Sequence, residues 1–244
     1  MNNKEIINKI ISTAKLSDSD ILQSKGRIYT FLNPVSYLEA VKSKELFSNF
    51  DGIFVDGSIL VLAIRLLYGK NIIRRSFDMT SLAPILFNFA EQNEKKIYFI
   101  ASQENEIEKA VSTFKEKWPN LNIIKYRNGY FSSEEDITIE INRIKTANPD
   151  FLIIGMGVIK QEQFLLKVKE AQLDCIGFTC GGFIHQTAHN KINYYPKWID
   201  SINLRFLYRM YKEKHTRKRY FQAAFLFPLR FIYDRFFLNS WYPK

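Results

Sequence analysis

The feature of this chain that most constrains its fold is the alternation of short apolar runs with longer segments of helical periodicity. Short apolar runs bounded by turn residues are typical of buried strands. The predicted strands cover residues 28–32, 52–55, 97–101, 121–126, 151–155 and 176–179. One predicted helix starts at Asn33-Pro34. The other predicted helices cover residues 59–68, 80–92, 104–117 and 133–147. Because successive parallel strands need helical crossovers, the alternation predicts an α/β fold with a mostly parallel, Rossmann-like sheet flanked by helices.

The segment from residue 148 to residue 162 is where a ligand site is predicted. Pro149 excludes the residue before it from the helical region, and the predicted strand 151–155 follows. Gly155 and Gly157 lie at the end of that strand, where the lack of a Cβ lets a ligand approach the backbone. The next helix opens with Lys160, Gln161 and Glu162. Strand ends of this kind bind anionic ligands in open α/β sheets, but a lone Gly-x-Gly is also common in plain tight turns.

Composition places the chain among ordinary folded proteins. Its 244 residues, 46% hydrophobic and 25% charged, suffice for one sizeable core with an appendage. The first residues lack the apolar core of a secretory signal, and no stretch reaches the roughly 18–20 apolar residues of a membrane span. Cys175 and Cys180 are the only cysteines, which favours core thiols in a reducing compartment over a disulfide framework. We therefore expect a cytoplasmic protein.

Basic charge is concentrated near the end of the chain. The formal net charge is +10, and residues 205–219 contain seven basic side chains against one acid, Glu213. Residues 220–238 then mix Phe, Leu and Tyr with further charges. This composition suits a helix on an anionic membrane surface, while a nucleic-acid site and a solvated basic helix are the alternatives. The chain is expected to divide into an α/β domain at residues 1–190 and a basic, aromatic, helical appendage at residues 191–244.

Several separated motifs line up, in order and spacing, with one known family. They are Asp56-Gly57, Asn128-Gly129-Tyr130-Phe131, Pro149-Asp150, Gly155-Met156-Gly157, Lys160-Gln161-Glu162, Gly181-Gly182-Phe183, Tyr195-Pro196-Lys197-Trp198, Leu204-Arg205-Phe206-Leu207-Tyr208-Arg209 and Lys218-Arg219-Tyr220. Together they resemble the glycosyltransferases of family 26, the WecG/TagA/CpsF group. Each motif alone is common, so the specificity comes from their order, which extends over residues 30–220.

The resemblance implies an inverting, metal-independent transfer of a sugar. The donor would be a UDP-sugar and the acceptor a polyprenyl-diphosphate-linked saccharide at the inner face of the cell membrane, as in capsule or exopolysaccharide synthesis. No cofactor or metal ion is expected, and residues 191–244 would contact an anionic membrane surface. A homo-oligomer is a further arrangement to consider. Nucleic acid is not an expected partner, because the basic segment lacks any recognisable RNA-reading or helix-turn-helix setting.

The resemblance implies a role for Asp56, which matches the family's proposed base. Inversion requires a group that takes the proton from the acceptor hydroxyl as it attacks the anomeric carbon, and a carboxylate at a strand end suits that role. The alternative for Asp56 is a plain helix N-cap. Asn33 matches a family position in the same cleft, and its alternative is likewise capping. Ile73 stands where the family usually has an arginine, so Arg74 is expected to take that role.

Other matched positions are expected to hold the two substrates. Tyr130 would line the nucleotide pocket, although a half-buried core tyrosine is the more ordinary interpretation. The full set expected to bind donor or acceptor is Asn33, Arg74, Tyr130, Gly155, Gly157, Lys160, Gln161 and Glu162. Arginine forks suit phosphate oxygens. The arginines expected to bind the diphosphate are Arg209, Arg217 and Arg219.

Three other classes of protein are alternatives. A nucleotide-binding oxidoreductase would need a fuller glycine fingerprint. A non-catalytic membrane-surface helper of another glycosyltransferase would keep the fold and the basic segment, and it is the main alternative. A metal-dependent enzyme finds little support, because Asp18-Ser19-Asp20 follows no apolar strand and is expected to be a solvated helix start. His185 and His189 have the spacing of a ligand pair, but no third ligand stands at a suitable distance in the sequence.

Overall fold

The computed structural model describes residues 3–190, 199, 205–212 and 217–237. The strands are β1 (Ile28–Leu32), β2 (Gly52–Val55), β3 (Ile97–Ala101), β4 (Ile123–Arg127), β5 (Phe151–Gly155) and β6 (Ile176–Thr179). The helices before β4 are α1 (Asn3–Thr13), α2 (Asp18–Leu22), α3 (Pro34–Lys42), α4 (Lys44–Ser48), α5 (Ser58–Tyr68), α6 (Leu82–Gln92) and α7 (Glu104–Lys117). Those after β4 are α8 (Glu134–Ala147), α9 (Lys160–Glu170), α10 (Phe183–Asn190), α11 (Arg205–Lys212) and α12 (Arg217–Phe236).

The six strands form one parallel sheet in the order β2-β1-β6-β5-β3-β4. The prediction of an α/β fold with a parallel sheet is therefore confirmed. β1 lies between β2 and β6, and the chain leaves the β2 edge to resume at β3 on the other side of β6 and β5. All six strands end at the same edge of the sheet, which is where ligands bind in folds of this type.

The two faces of the sheet bury separate apolar layers, because successive side chains of a strand point to opposite sides. In β3, Tyr98 and Ile100 join the layer that also contains residues of α1, α3, α5 and α9. Ile97, Phe99 and Ala101 join the layer formed with α6, α7 and α10. The apolar character of β3, β5 and β6 on both faces follows from this double covering.

Two predicted elements begin later than expected. Strand β4 starts at Ile123 because the N–H of Ile123 donates to the carbonyl of Leu121 at 3.0 Å, which folds residues 121–123 into a turn. Helix α6 starts at Leu82, two residues after its predicted start at Thr80. Residues 78–81 instead form a turn in which Asp78 Oδ1 accepts from the N–H of Thr80 at 2.8 Å. The turn holds Asp78 beside the edge where the strands end.

The predicted C-terminal helix exists as α12, and it packs on α3 and α5. Phe227 and Phe231 are buried against Tyr37, with ring centroids 5.6 Å and 5.1 Å away. The phenol of Tyr37 donates to Asp234 Oδ2 at 3.0 Å, and Arg235 Nε donates to a carbonyl at the end of α5. In the part of the chain that the structure covers, no helix has both the length and the apolar content to span a bilayer.

Candidate active site

A cavity of about 820 Å³ opens at the edge where the strands end. Its wall contains the residues that follow β1, β2, β3 and β6, and α12 covers one side. The polar side chains of the wall include Asn33, Asp56, Arg74, Ser102, Glu106, Gln161, His185 and Arg219. The structure thus brings together side chains that are separated by up to 186 positions in the sequence (219 − 33). A parallel sheet produces this convergence because all of its strands end at the same edge, and the residues that follow them lie side by side there.

Asp56 follows β2 and is held by one arginine. Arg74 Nε donates to the backbone carbonyl of Asp56 at 2.8 Å, and Arg74 Nη2 lies 3.3 Å from Asp56 Oδ1. The same Nη2 lies 2.8 Å from Asp78 Oδ2. Asp78 is in turn fixed by Ser76 Oγ, which donates to Oδ2 at 2.8 Å. One guanidinium therefore connects the two carboxylates, and both Asp56 and Arg74 face the cavity.

The capping alternatives for Asp56 and Asn33 have different outcomes. Helix α5 begins after Gly57, and no side chain caps it, so Asp56 is not its N-cap. Asn33 does cap α3, because its Oδ1 accepts from the N–H groups of Val35 at 2.9 Å and Ser36 at 3.1 Å. Asn33 also lines the cavity, and its Oδ1 is already engaged by the helix start.

Gln161 and Glu162 open α9 as predicted, but they occupy different depths. Gln161 lines the cavity, and its Oε1 accepts from the N–H of Gly181 at 3.2 Å. Glu162 is buried beneath it, where Oε1 accepts from Gln161 Nε2 at 2.9 Å and from Thr30 Oγ1 at 2.8 Å. Burial raises the pKa of Glu162, although these hydrogen bonds oppose the shift. Glu162 therefore reaches the cavity through its neighbours, directly through Gln161 and by way of Thr30 through Thr179.

The loop before α9 has an uncommon backbone. Ile159 has φ of +76°, which is rare for a β-branched residue, and its N–H donates to Glu162 Oε2 at 2.6 Å. Gly157 has φ of +81°, where glycine is preferred. A Cβ on Gly155 would lie 2.8 Å from Cys180 Sγ and 2.9 Å from the carbonyl of Gly181. The predicted need for glycine thus has separate causes: close packing at Gly155 and backbone conformation at Gly157.

A second cavity, of about 710 Å³, adjoins the first at Ser102, Tyr130 and Gly157. Lys160 is exposed and lines this second cavity. Tyr130 is 66% exposed, so the interpretation of it as a half-buried core residue is wrong. Its backbone is fixed by Asn128 and Arg127, whose side chains bond its N–H at 3.0 Å and its carbonyl at 2.9 Å. The tyrosine ring is thus placed between the two cavities.

The three arginines predicted to bind diphosphate are not equivalent. Arg219 lines the large cavity. Arg217 instead donates to backbone carbonyls at the end of α11, at 2.8 Å to Met210 and 3.2 Å to Tyr211. Arg209 belongs to α11, and its side chain lies outside the described residues. Of this set, the structure therefore assigns a place at the cavity to Arg219.

Sequence reasoning did not identify the cluster of Ser102, Glu106 and His185 in the wall of the large cavity. Ser102 Oγ donates to Glu106 Oε2, and His185 Nδ1 lies 2.7 Å from Glu106 Oε1. His189 Nδ1 lies 3.8 Å from the same Oε1. The sequence spacing gave no third ligand for the two histidines, because Glu106 arrives from a distant helix. The one signal for this cluster in the sequence was Glu106 itself, a carboxylate in the first turn of the helix that follows β3.

One protein family and several individual proteins match the chain. The glycosyl transferase WecG/TagA/CpsF family matches residues 5–240. A Shigella boydii protein named UDP-Gal:alpha-D-GlcNAc-diphosphoundecaprenol beta-1,4-galactosyltransferase is 39% identical over 205 residues, which are 84% of this chain and 85% of that protein. An N-acetylglucosaminyldiphosphoundecaprenol N-acetyl-beta-D-mannosaminyltransferase of Bacillus subtilis (strain 168) is 25% identical over 227 residues, 91% of this chain and 85% of that protein.

Proposed function

Because the chain belongs to the WecG/TagA/CpsF family and is therefore a glycosyltransferase, we propose that it transfers a sugar from a UDP-sugar to a polyprenyl-diphosphate-linked saccharide. The transfer proceeds with inversion and without a metal ion. The names of the Shigella and Bacillus relatives both specify a GlcNAc-diphosphoundecaprenol acceptor. The match to the galactosyltransferase makes UDP-galactose the first donor to test. The glycan that contains the product would be a capsule, an exopolysaccharide or another cell-surface polymer.

The position of Asp56 carries the proposed chemistry. The oxygen of an acceptor hydroxyl attacks the anomeric carbon, the bond from that carbon to the UDP oxygen breaks, and Asp56 takes the hydroxyl proton. Asp56 is suited to this because it lies in the cavity wall and is not engaged in capping α5. The ion pair with Arg74 fixes the carboxylate in place at the cavity wall, as a positioned base requires.

Substrate binding is assigned to the groups around Asp56. Asn33 and Gln161 offer amide groups to sugar hydroxyls, and Arg219 offers a cation to the departing diphosphate. The second cavity, with Tyr130 at its boundary and Lys160 in its wall, is proposed to hold part of the donor nucleotide. Gly155 and Gly157 both lie in the wall of the second cavity, and because they have no side chains they leave its space open to the nucleotide. Glu162 acts on the substrates indirectly, by holding Gln161 in the cavity wall.

We propose that α12 and α5 together rest on the inner surface of the cell membrane. Exposed apolar side chains are concentrated on α12: Phe221, Phe225, Leu226, Leu229, Ile232 and Phe236. On the neighbouring α5, Leu62 and Leu66 are also exposed. Arg217, Lys218 and Arg219 stand at the start of α12, where lipid phosphates would attract them. This arrangement brings the cavity, which α12 lines, close to a lipid-linked acceptor.

The deciding experiment is a transfer assay with GlcNAc-diphosphoundecaprenol in vesicles and a panel of UDP-sugars, with EDTA present. Wild type should consume one donor, whereas Asp56→Asn should lose at least about a hundredfold in rate, the lower range for a general base. Asp18→Asn is a matched control, because Asp18 pairs with Arg75 away from the cavity and should leave the rate unchanged. If wild type consumes no donor, the helper alternative is favoured; full activity in Asp56→Asn would place the base elsewhere.

A further inference from the structure

We propose that Glu106, His185 and His189 form a binding site for a divalent transition-metal cation such as Zn²⁺ or Co²⁺ at the rim of the large cavity. The three side chains offer one carboxylate oxygen and two imidazole nitrogens, and these ligand atoms all lie within 4.8 Å of one another. Two imidazoles with one carboxylate is a donor set that zinc accepts in proteins and that Mg²⁺ does not favour.

The distances agree with a site of this kind. A tetrahedral zinc ion with bonds of about 2.0–2.1 Å needs ligand atoms roughly 3.4 Å apart. Glu106 Oε1 lies 2.7 Å from His185 Nδ1 and 3.8 Å from His189 Nδ1. The first pair would have to open and the second to close by roughly half an ångström, through rotation of the partly exposed His185 and the exposed His189. The hydrogen bond between Glu106 and His185, and the one from His189 Nδ1 to the carbonyl of His185 at 3.0 Å, would be exchanged for bonds to the cation.

Helix α10 supplies both histidines on one face. Residues four positions apart lie one above the other on a helix, and the two ring centroids are 4.4 Å apart. Helix α7, which packs against α10, brings Glu106 to the same place from its first turn. A cation bound here would therefore link α7 to α10.

Glu106 has the properties of a pre-arranged anionic ligand. It is largely buried, and its basic partners within the described part of the chain are the two imidazoles. The carboxylate is held by hydrogen-bond contacts with Ser102 Oγ, the N–H of Gln103 and His185 Nδ1. Ser102 also orients the carboxylate in the way that outer-sphere partners orient metal ligands.

The site borders the proposed active site but is separate from the transfer step. Glu106 and His185 line the cavity together with Asp56. Three protein ligands leave one tetrahedral position open, which a water molecule would fill. The cation would add positive charge at the rim and fix α10, while Asp56 and Arg74 carry the chemistry.

The test measures cation binding and not transfer, so its outcome is independent of the proposed function. Full-length, untagged protein is stripped with EDTA, dialysed, and titrated with Co²⁺ while the visible absorption of tetrahedral cobalt is recorded. We expect one equivalent to bind in wild type, with a rise in melting temperature when Zn²⁺ is added. His189→Gln and Glu106→Gln should each weaken binding about tenfold or more.

His215→Gln is the control for the loss of a histidine as such, because His215 is the third histidine of the chain. This variant should bind cobalt as wild type does. Circular dichroism checks that each variant is folded, and His189 is exposed enough for its replacement to be tolerated. Equal affinity in wild type and His189→Gln, or no cobalt absorption in wild type, would overturn the proposal.

Discussion

Arg74 holds Asp56 at two points, with Nε donating to its backbone carbonyl at 2.8 Å and Nη2 lying 3.3 Å from its carboxylate. The two contacts require a planar fork, which fixes both the main chain and the side chain of the proposed base. Ile73, which stands at the position where the family usually has an arginine, is exposed and carries no such group. The contacts of Arg74 support the expectation that it takes the role of the arginine that the family usually has at the position of Ile73.

Replacing Arg74 with lysine should therefore lower the transfer rate about 10- to 100-fold while the protein stays folded, because one ammonium group cannot make both contacts. The readout is kcat in the vesicle assay, with unfolding measured alongside. Arg75→Lys is the matched control, since Arg75 lies outside the cavity wall and pairs there with Asp18, with 2.7 Å between Nη2 and Oδ1. An Arg74→Lys enzyme as fast as the Arg75→Lys enzyme would contradict the role given to the fork.

Gly155 and Gly157 should respond differently to the same substitutions. Gly155→Ala forces a methyl group into packed atoms and should lower the free energy of unfolding by about 2–3 kcal/mol. Gly157→Ala meets open space but a positive φ, so a loss of about 1 kcal/mol is expected. Asparagine tolerates that backbone conformation, so Gly157→Asn should lose less than Gly157→Ala. Urea denaturation tests the ranking; a milder effect at Gly155 than at Gly157 would contradict it.

The buried carboxyl of Glu162 should make stability depend on pH. Its pKa is raised in the folded protein, so its contribution is fully present below the ordinary glutamate pKa and is lost as pH rises through the raised value. Glutamine at this position cannot titrate, so Glu162→Gln lacks this pH-dependent contribution. The difference in unfolding free energy, Glu162→Gln minus wild type, should therefore increase from acidic to neutral pH.

This difference is obtained from urea denaturation at several pH values. Glu170→Gln serves as the control, because Glu170 is an exposed glutamate on the same helix. The control should show a difference that does not vary with pH. A flat profile for Glu162→Gln as well would mean that burial does not raise its pKa.

The attachment of α12 should depend on the hydrogen bond from Tyr37 to Asp234. Burial and the nearby Asp234 raise the pKa of Tyr37, so the phenol remains a donor across the working pH range. Tyr37→Phe should cost about 1.5–3 kcal/mol, the range for a bond to a charged group, and should speed hydrogen exchange in α12. Tyr29→Phe is the control, since its hydroxyl bonds Ser24 and not α12. Unchanged exchange in α12 of Tyr37→Phe would contradict this anchoring.

Membrane binding should depend on the exposed apolar residues of α12. Replacing Phe225 and Leu229 together with glutamine should weaken binding to anionic vesicles at least about tenfold, because each side chain contributes up to roughly 1.5–3 kcal/mol when buried. The control replaces Ile85 and Ile139, which are exposed on α6 and α8. Vesicle sedimentation provides the measurement, and equal loss in both double variants would argue against a docking surface on α12.

The sheet could be predicted from the sequence because β3, β5 and β6 are buried on both faces and therefore read as continuous apolar runs. The common edge followed from the same pattern. The family resemblance implied that Asn33 and Asp56 share a cleft, and the structure places both of them with Gln161 in the wall of one cavity. The exact start of α6 could not be predicted, because Asp78 stabilises a turn that competes with the helix.

Contacts between distant parts of the chain were beyond the sequence pattern. Glu106 and His185 are 79 positions apart, and Tyr37 and Asp234 are 197 apart, so no local spacing connects them. Tyr130 was difficult for another reason, since the exposure of an aromatic loop residue depends on how its backbone is held by neighbours such as Arg127. Residue types indicated the chemistry, but tertiary packing decided which of them share a cavity.

The placement of β1 between β2 and β6 also has a consequence for the order of events during synthesis. Thr30 and Thr179, whose hydroxyls lie 2.9 Å apart, leave the ribosome 149 residues apart. An early strand must therefore wait for the last strand before the centre of the sheet closes, which is the kind of long-range pairing that slows folding. The large cavity is complete only once α12 has emerged, so prematurely terminated chains would lack the assembled wall of the proposed active site.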